Sequence, residues 1–340
     1  MLPQTQIRSA LLVAAAALPL YCSPASFVGV ATAQPLPLRY GQAYSSAHTI
    51  FSLPVAVAKR EDLFRREGLD VEVVIPVPGG ADKMIDALHD DWADIVHVAT
   101  PFLIRAAMAG SDAVAVDAEF ANPIYSLIAQ SEIRTFADLK AKVIGLADES
   151  GTISISMRRL LAAHGLDRGS FVAKVAPGTP TRWNCLRSGN CDAVVLGQPQ
   201  DLQAMAQGYR LLGRSNEAVP DFLYTVSAAR RSWALAHKDT VIRFVRAMAA
   251  ACAFIHDPAR HDRVVKIISE TTGSSDGIAT QTLQLLLQSP SRVLPERAEI
   301  DLKGFGEVIR MIGEAGLLEA PLPRAERFVD LQYLHAAGVQ

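Results

Sequence analysis

Ser150, Gly151 and Thr152 stand where a chain can hold an anion. The apolar run Val143-Ile144-Gly145-Leu146 reads as a buried strand, and the small polar residues beyond it stop that strand and open a helix from Ile153 to His164. The first N–H groups of such a helix lack intrahelical partners and carry partial positive charge. With the Ser150 and Thr152 hydroxyls beside Gly151 they form a cradle for a carboxylate, sulfonate or phosphate. A Ser or Thr at a helix start is also an ordinary cap, so both readings stand.

Other chemistry is thinly represented. No G-x-S-x-G, H-E-x-x-H or G-x-x-x-x-G-K-[ST] occurs, which removes the simple hydrolase, zinc-peptidase and nucleotide-hydrolysing readings. His256 and His261 straddle Asp257-Pro258, and a proline there interrupts the helical face that two metal ligands would share, so no metal site is expected. Cys185 and Cys191 flank a turn-like segment between a helix and a strand. They suit a small disulfide loop in an exported chain, with free thiols or half a metal site as alternatives, and Cys252 on an Ala-rich helix reads as a small buried hydrophobe.

These residues need elements to position them. Leu36–Gly41 reads as a strand ending in the polar loop Gln42 to His48, Phe51 to Arg66 as a helix closed by Gly68, and Leu69–Ile75 as an alternating strand before Pro76-Val77-Pro78-Gly79-Gly80. A helix from Ala81 to His89, a strand over Ala93–Ala99 with exit loop Thr100-Pro101, a helix from Phe102 and a strand entered at Val114 follow. Beyond Asn122-Pro123 a second α/β unit runs through strands Ile124–Gln130, Phe171–Val175, Ala193–Leu196 and Tyr209–Leu212, with a helix from Thr181 to Arg187. The chain then returns by a short strand, Tyr224–Ser227, to a helical end. Strands alternating with helices predict a mostly parallel sheet with ligand loops at strand C-terminal ends. The resulting cut has an outer domain of 36–122 plus 224–340, an inserted domain of 123–215, and a return hinge at 216–223.

The chain has 340 residues, half of them apolar, enough for two domains. Arg8 is the only charge before an Ala/Leu/Val-rich run, and Ala31-Thr32-Ala33 has the small-x-small pattern of a secretory cleavage site, so residues 1–33 read as a signal peptide and the mature chain as periplasmic. A retained anchor or lipidation at Cys22 are the alternatives, weakened by Pro19, Pro24 and Gly29 and by the bulky Tyr21. Lys and Arg total 33 against 35 Asp and Glu, mixed throughout, which is no nucleic-acid footprint.

Four stretches together carry a family resemblance: Glu67-Gly68-Leu69-Asp70-Val71, Ala93-Asp94-Ile95, Asp138 through Gly145, and Ser188 through Pro199. Their order and spacing resemble the periplasmic substrate-binding proteins of nitrate/sulfonate/taurine-type ABC importers, the NMT1/THI5-like group. The resemblance implies an α/β, two-lobed periplasmic-binding-protein-like fold of type II, no cofactor, a monomer, and partnership with a separate permease and ATPase. It places ligand contacts at Gln42, Ser45, Ser46 and His48, Gly79 and Gly80, Thr100, Ser150 to Thr152, Gly178 and Thr179, and Gln198. Arg182, at a helix start near the cleft, could pair bidentately with a carboxylate or sulfonate, or be a structural Arg. His97, alternating in a buried strand, reads first as a hydrogen-bonded core His, and Tyr125 and Tyr224 as hinge packing that could also stack on a planar ligand.

Relatives on this fold include a sulfinate-cleaving desulfinase and pyrimidine-forming proteins, so an enzyme is the alternative. Those use a reactive Cys with His, whereas the first-strand loop here has Ser45 and Ser46. A sensory module feeding a kinase would need a membrane segment and a signalling domain. The expected function is capture of a small organic anion between the lobes for import.

Overall fold

The computed structural model describes residues 34–74, 83–149, 151–219 and 221–339; the signal-peptide expectation for 1–33 and the candidate residues Gly79, Gly80 and Ser150 lie outside them. The strands are β1 (Leu36–Gly41), β2 (Leu69–Val74), β3 (Ile95–Ala99), β4 (Ala113–Phe120), β5 (Ser126–Ala129), β6 (Val143–Leu146), β7 (Val172–Val175), β8 (Ala193–Leu196), β9 (Arg210–Arg214) and β10 (Thr225–Arg230). The helices through the first half are α1 (Tyr44–Ala47), α2 (Leu53–Arg60), α3 (Leu63–Arg66), α4 (Met84–His89), α5 (Thr100–Met108), α6 (Thr152–Ala163), α7 (Thr179–Arg187) and α8 (Gln200–Ala206). After β10 come α9 (Arg231–Ala236), α10 (Lys238–His256), α11 (His261–Thr272), α12 (Asp276–Gln288), α13 (Leu302–Glu314) and α14 (Gln332–Ala336).

The strands form two sheets, ordered β2-β1-β3-β10-β4 and β7-β6-β8-β5-β9. Within each sheet one strand runs against the others: β10 is antiparallel to β3 and β4, and β5 is antiparallel to β8 and β9. These are the strands by which the chain enters each sheet after crossing from the other, at 121–125 and 215–224. The remaining neighbours, β1 with β2 and β3, and β6 with β7 and β8, are parallel, a pairing that needs crossover connections such as the helices between them.

The two sheets repeat one device at the start of the central strand. The Asp94 carboxylate accepts the Arg39 N–H at 2.8 Å while Asp94 N–H returns to the Arg39 carbonyl at 2.9 Å; Asp192 does the same with Val143 at 2.8 and 2.9 Å. An acceptor side chain thus finishes the ladder where the neighbouring strand has not yet begun. Cys185 and Cys191 are disulfide-bonded with Cα atoms 5.2 Å apart, directly before Asp192. The bond lies on the second sheet among Ile128, Leu186, Val194, Leu196 and Ala204. Gly145 permits this, because a Cβ there would stand 3.1 Å from the Cys191 sulfur and 2.9 Å from Val194.

Among the boundaries that differ from the sequence reading, three have a clear local reason. Thr100 and Thr179 are the first residues of α5 and α7 rather than loop, because Pro101 and Pro180 sit in the first turn, where a missing N–H costs nothing and a fixed φ favours the helix. The helix expected over 51–66 is broken into α2 and α3 by Asp62 in the left-handed region, φ 55°. By contrast α10 runs unbroken for 19 residues until Asp257-Pro258 ends it, where the sequence reading had the proline interrupt a helical face.

Candidate functional site

The C-terminal ends of β1, β6 and β8 each carry a buried side chain with an unused polar atom. Gln42 follows β1 at 1 % exposure and donates its N–H to the Val74 carbonyl, while Nε2 has no hydrogen-bond partner among the described residues. Thr152 begins α6 at 2 % exposure with Oγ1 unpartnered, and Gln198 follows β8, fully buried, donating Nε2 to Asp201 at 2.8 Å and leaving Oε1 unused. Asp201, which also accepts the Ser126 hydroxyl at 2.7 Å, has its pKa raised by burial. A buried polar atom left dry costs about 1–3 kcal/mol, so atoms like these ask for water or a ligand.

Beside them lies an aromatic cluster that the sequence reading found only in part. Phe51 stacks on Tyr125 with ring centroids 5.2 Å apart and meets Tyr224 edge-on at 5.2 Å. The Tyr125 and Tyr224 hydroxyls are 2.9 Å apart. These tyrosines sit on the two crossovers, and Phe51 comes from the segment after the first-strand loop. Gly197 packs against the cluster; a Cβ there would be 3.1 Å from Tyr125 and 3.5 Å from Phe51. Burial raises the pKa of both phenols. Phe51 was missed because it reads equally well as the first core residue of a helix.

The remaining candidates fall in three groups. Arg182 is buried and donates to the carbonyls of Val195 and Ala176 and to the Thr179 hydroxyl, so it ties α7 to β8 and to its own first turn. Burial lowers its pKa, opposed by Tyr125, Tyr224 and Asp148. Gly178 precedes α7 at φ 76°, a conformation that suits glycine. Thr100 is fully buried and donates Oγ1 to the Leu223 carbonyl at 2.6 Å, fastening α5 to the return crossover. Ser46 is half-buried and its carbonyl accepts from Thr49; His48 is exposed; for Ser45 only the backbone, within α1, is described. Of these, Arg182 lies near enough to Tyr125 and Tyr224 to act on both electrostatically, and Gln198 directly follows Gly197 at the cluster's edge.

A cavity of about 900 Å³ lies elsewhere, where the crossovers face α12, lined by Arg214, Asn216, Gln281, Gln284, Gln288 and Arg292 among others, and none of the sequence-derived candidates line it. Another of about 460 Å³ separates α6 from α13. Among the described residues no helix is long and apolar enough to cross a membrane.

Two mixed sheets, each closed by one reversed strand that arrives from the other, define the periplasmic-binding-protein fold. Within it, this chain belongs to the NMT1-like family, whose model matches residues 48–269. It is similar in structure to the periplasmic aliphatic sulphonate binding protein SsuA of Escherichia coli, with 20 % identity over 88 % of this chain and 99 % of that one and a TM-score of 0.68. In sequence it is 25 % identical over 228 residues to the putative binding protein YtlA of Bacillus subtilis, covering 63 % of this chain and 66 % of that protein. It is also 25 % identical over 129 residues, 37 % of this chain, to the bicarbonate transport ATP-binding protein CmpC of a Synechocystis strain. The chain therefore spans 66 % and 19 % of the lengths of these two curated relatives.

Proposed function

We propose that this chain is the solute-binding component of an ABC importer, which captures a small organic anion between two lobes and delivers it to a separate permease and ATPase without chemical turnover. The lobes would be 36–122 with 224–340, and 123–215, joined through 216–223, in a periplasmic monomer freed of residues 1–33. The observation that carries this reading is the set of unpartnered buried atoms on Gln42, Thr152 and Gln198. They lie at strand C-terminal ends in both sheets, the positions at which open α/β sheets bind ligands. The N-terminus of α6 supports an anion, and so does likeness to proteins named for sulphonate binding and bicarbonate transport. The nearby tyrosines and Phe51 suit a ligand with an apolar or planar body.

A thermal-shift screen of sulfonates, aromatic carboxylates, nitrate and neutral pyrimidines tests this, because a ligand that binds only the folded state raises apparent stability, by about 2.7 kcal/mol at a hundred times Kd. An organic anion is expected to give the largest shift, with no product formed on incubation. A shift confined to the neutral compounds overturns the anion class, and product formation overturns the transport role.

A further inference from the structure

The start of α6 already holds a carboxylate. Asp148, three residues ahead of Gly151, accepts the Gly151 N–H at 2.5 Å, and its own N–H is donated to the Ser154 hydroxyl at 3.2 Å. A Cβ on Gly151 would collide with that carboxylate, so the glycine is what lets it approach. Asp148 thereby sits at the positive end of a twelve-residue helix, in the place an anionic ligand would take. Its field also reaches the buried groups of the site, holding the Arg182 guanidinium toward its charged form and raising the Tyr125 and Tyr224 phenols. The helix end is nonetheless unfinished: Thr152 Oγ1, on the first helical residue and 2 % exposed, has no partner among the described residues. The charge requirement is met from within the chain while the hydroxyl still waits for a polar atom.

We propose that Asp148 is a specificity-determining residue that acts as an internal competitor: its carboxylate fills the anion position, and a ligand anion binds by displacing it. This rests on the anion-binding reading above. Small anions with nothing but charge to offer are then held weakly, because they exchange one carboxylate for another. Selectivity passes to ligands that also use Thr152, Gln198 or the aromatic cluster.

Calorimetric titration of the purified protein with methanesulfonate, benzoate and nitrate at fixed ionic strength tests it, comparing wild type with Asp148→Asn and Glu149→Gln. The asparagine keeps an oxygen for the Gly151 N–H and removes the charge. The Glu149 change removes an equal charge one residue on, from an exposed side chain paired with Arg158. Circular dichroism and melting curves establish that each variant is folded. Asp148→Asn is expected to bind the anions roughly 5–30-fold more tightly, the range that helix-end electrostatics supplies, and Glu149→Gln to leave affinity unchanged. Anion binding by wild type that is equal or weaker in Asp148→Asn, or strengthened equally by Glu149→Gln, overturns the competitor role and leaves the transport reading standing. No binding of any of the three anions by any variant overturns both the competitor and the anion class.

Discussion

Asp117 is a fully buried carboxylate in β4, part of a polar chain inside the first sheet. Its Oδ1 accepts the Ser227 N–H at 3.2 Å and its Oδ2 has no partner among the described residues. Glu119, also buried, takes the Tyr40 and Ser227 hydroxyls at 2.7 and 2.8 Å and lies 2.6 Å from His97 Nδ1. Burial, and then the neighbouring Glu119, push the Asp117 pKa well above the usual carboxylate value. An acid so raised keeps its proton in the folded state where the unfolded chain has lost it. Its contribution is therefore most favourable below the unfolded value near pH 4 and is lost as pH rises toward the folded one. Asp117→Asn keeps an acceptor for Ser227 and should stabilise the protein by about 1–3 kcal/mol at pH 7, and by much less at pH 4. Urea unfolding at the two pH values measures this, and a variant less stable at pH 7 would contradict it. His97 was legible as a hydrogen-bonded core residue because it alternates within an apolar strand; its partner Glu119 was not, because 22 residues and a helix separate them.

At the scale of elements, Asp94 and Asp192 show what two of the family-like stretches do. Ala93-Asp94-Ile95 and Cys191-Asp192-Ala193 close ladders at strand starts, so they report the fold rather than the ligand. The Cys185–Cys191 bond secures the second of these joints. By loop-closure entropy the bond contributes about 2 kcal/mol. The double variant Cys185→Ser/Cys191→Ser should lose about that much in chemical unfolding under oxidising conditions, and wild type should fall to a similar value in reductant. A wild type indifferent to reductant would refute it. The spacing made the pairing legible because six residues across a helix-to-strand turn bring two Cα atoms within bonding reach without help from the rest of the chain.

Across the whole molecule, α6, which follows β6 of the second sheet, meets α13 of the C-terminal helices through charge. Arg159 contacts Glu307 at 3.2 Å and Glu314 at 2.5 Å, and Arg310 pairs with both acids from within α13. Arg310 first, and Arg159 with it, lower the Glu307 pKa, so this link is present above the carboxylate range and is lost as pH falls through it. The groups are partly exposed, which limits such a contact to about 0.2–1 kcal/mol. If the lobes open and close about the crossovers, as two-lobed binders do, that is enough to move a finely balanced equilibrium. Arg159→Ala should therefore enlarge the radius of gyration of the ligand-free protein in X-ray scattering and weaken ligand binding by up to about fivefold. The ligand-bound radius should be unchanged. Identical ligand-free scattering from the two proteins would exclude a latch.

By itself the sequence determined the elements, their alternation, a cysteine spacing that suits a disulfide and the strand ends where polar loops gather. Each of these is written in short-range signals such as apolar period, glycine and proline turns, and spacing. The breaks at Asp62, Thr100 and Thr179 escaped because one left-handed residue, or one proline that starts a helix instead of ending one, has no periodic signature. Tertiary structure alone decided which candidates meet. Tyr125 and Tyr224 are brought to a hydroxyl contact by two separate crossings of the chain, and Arg182 turns inward to backbone carbonyls that no spacing announces. Asp148 meeting the helix end is by contrast a local contact, three residues apart, that the sequence reading passed over although a side chain so near competes with any solute at far higher effective concentration.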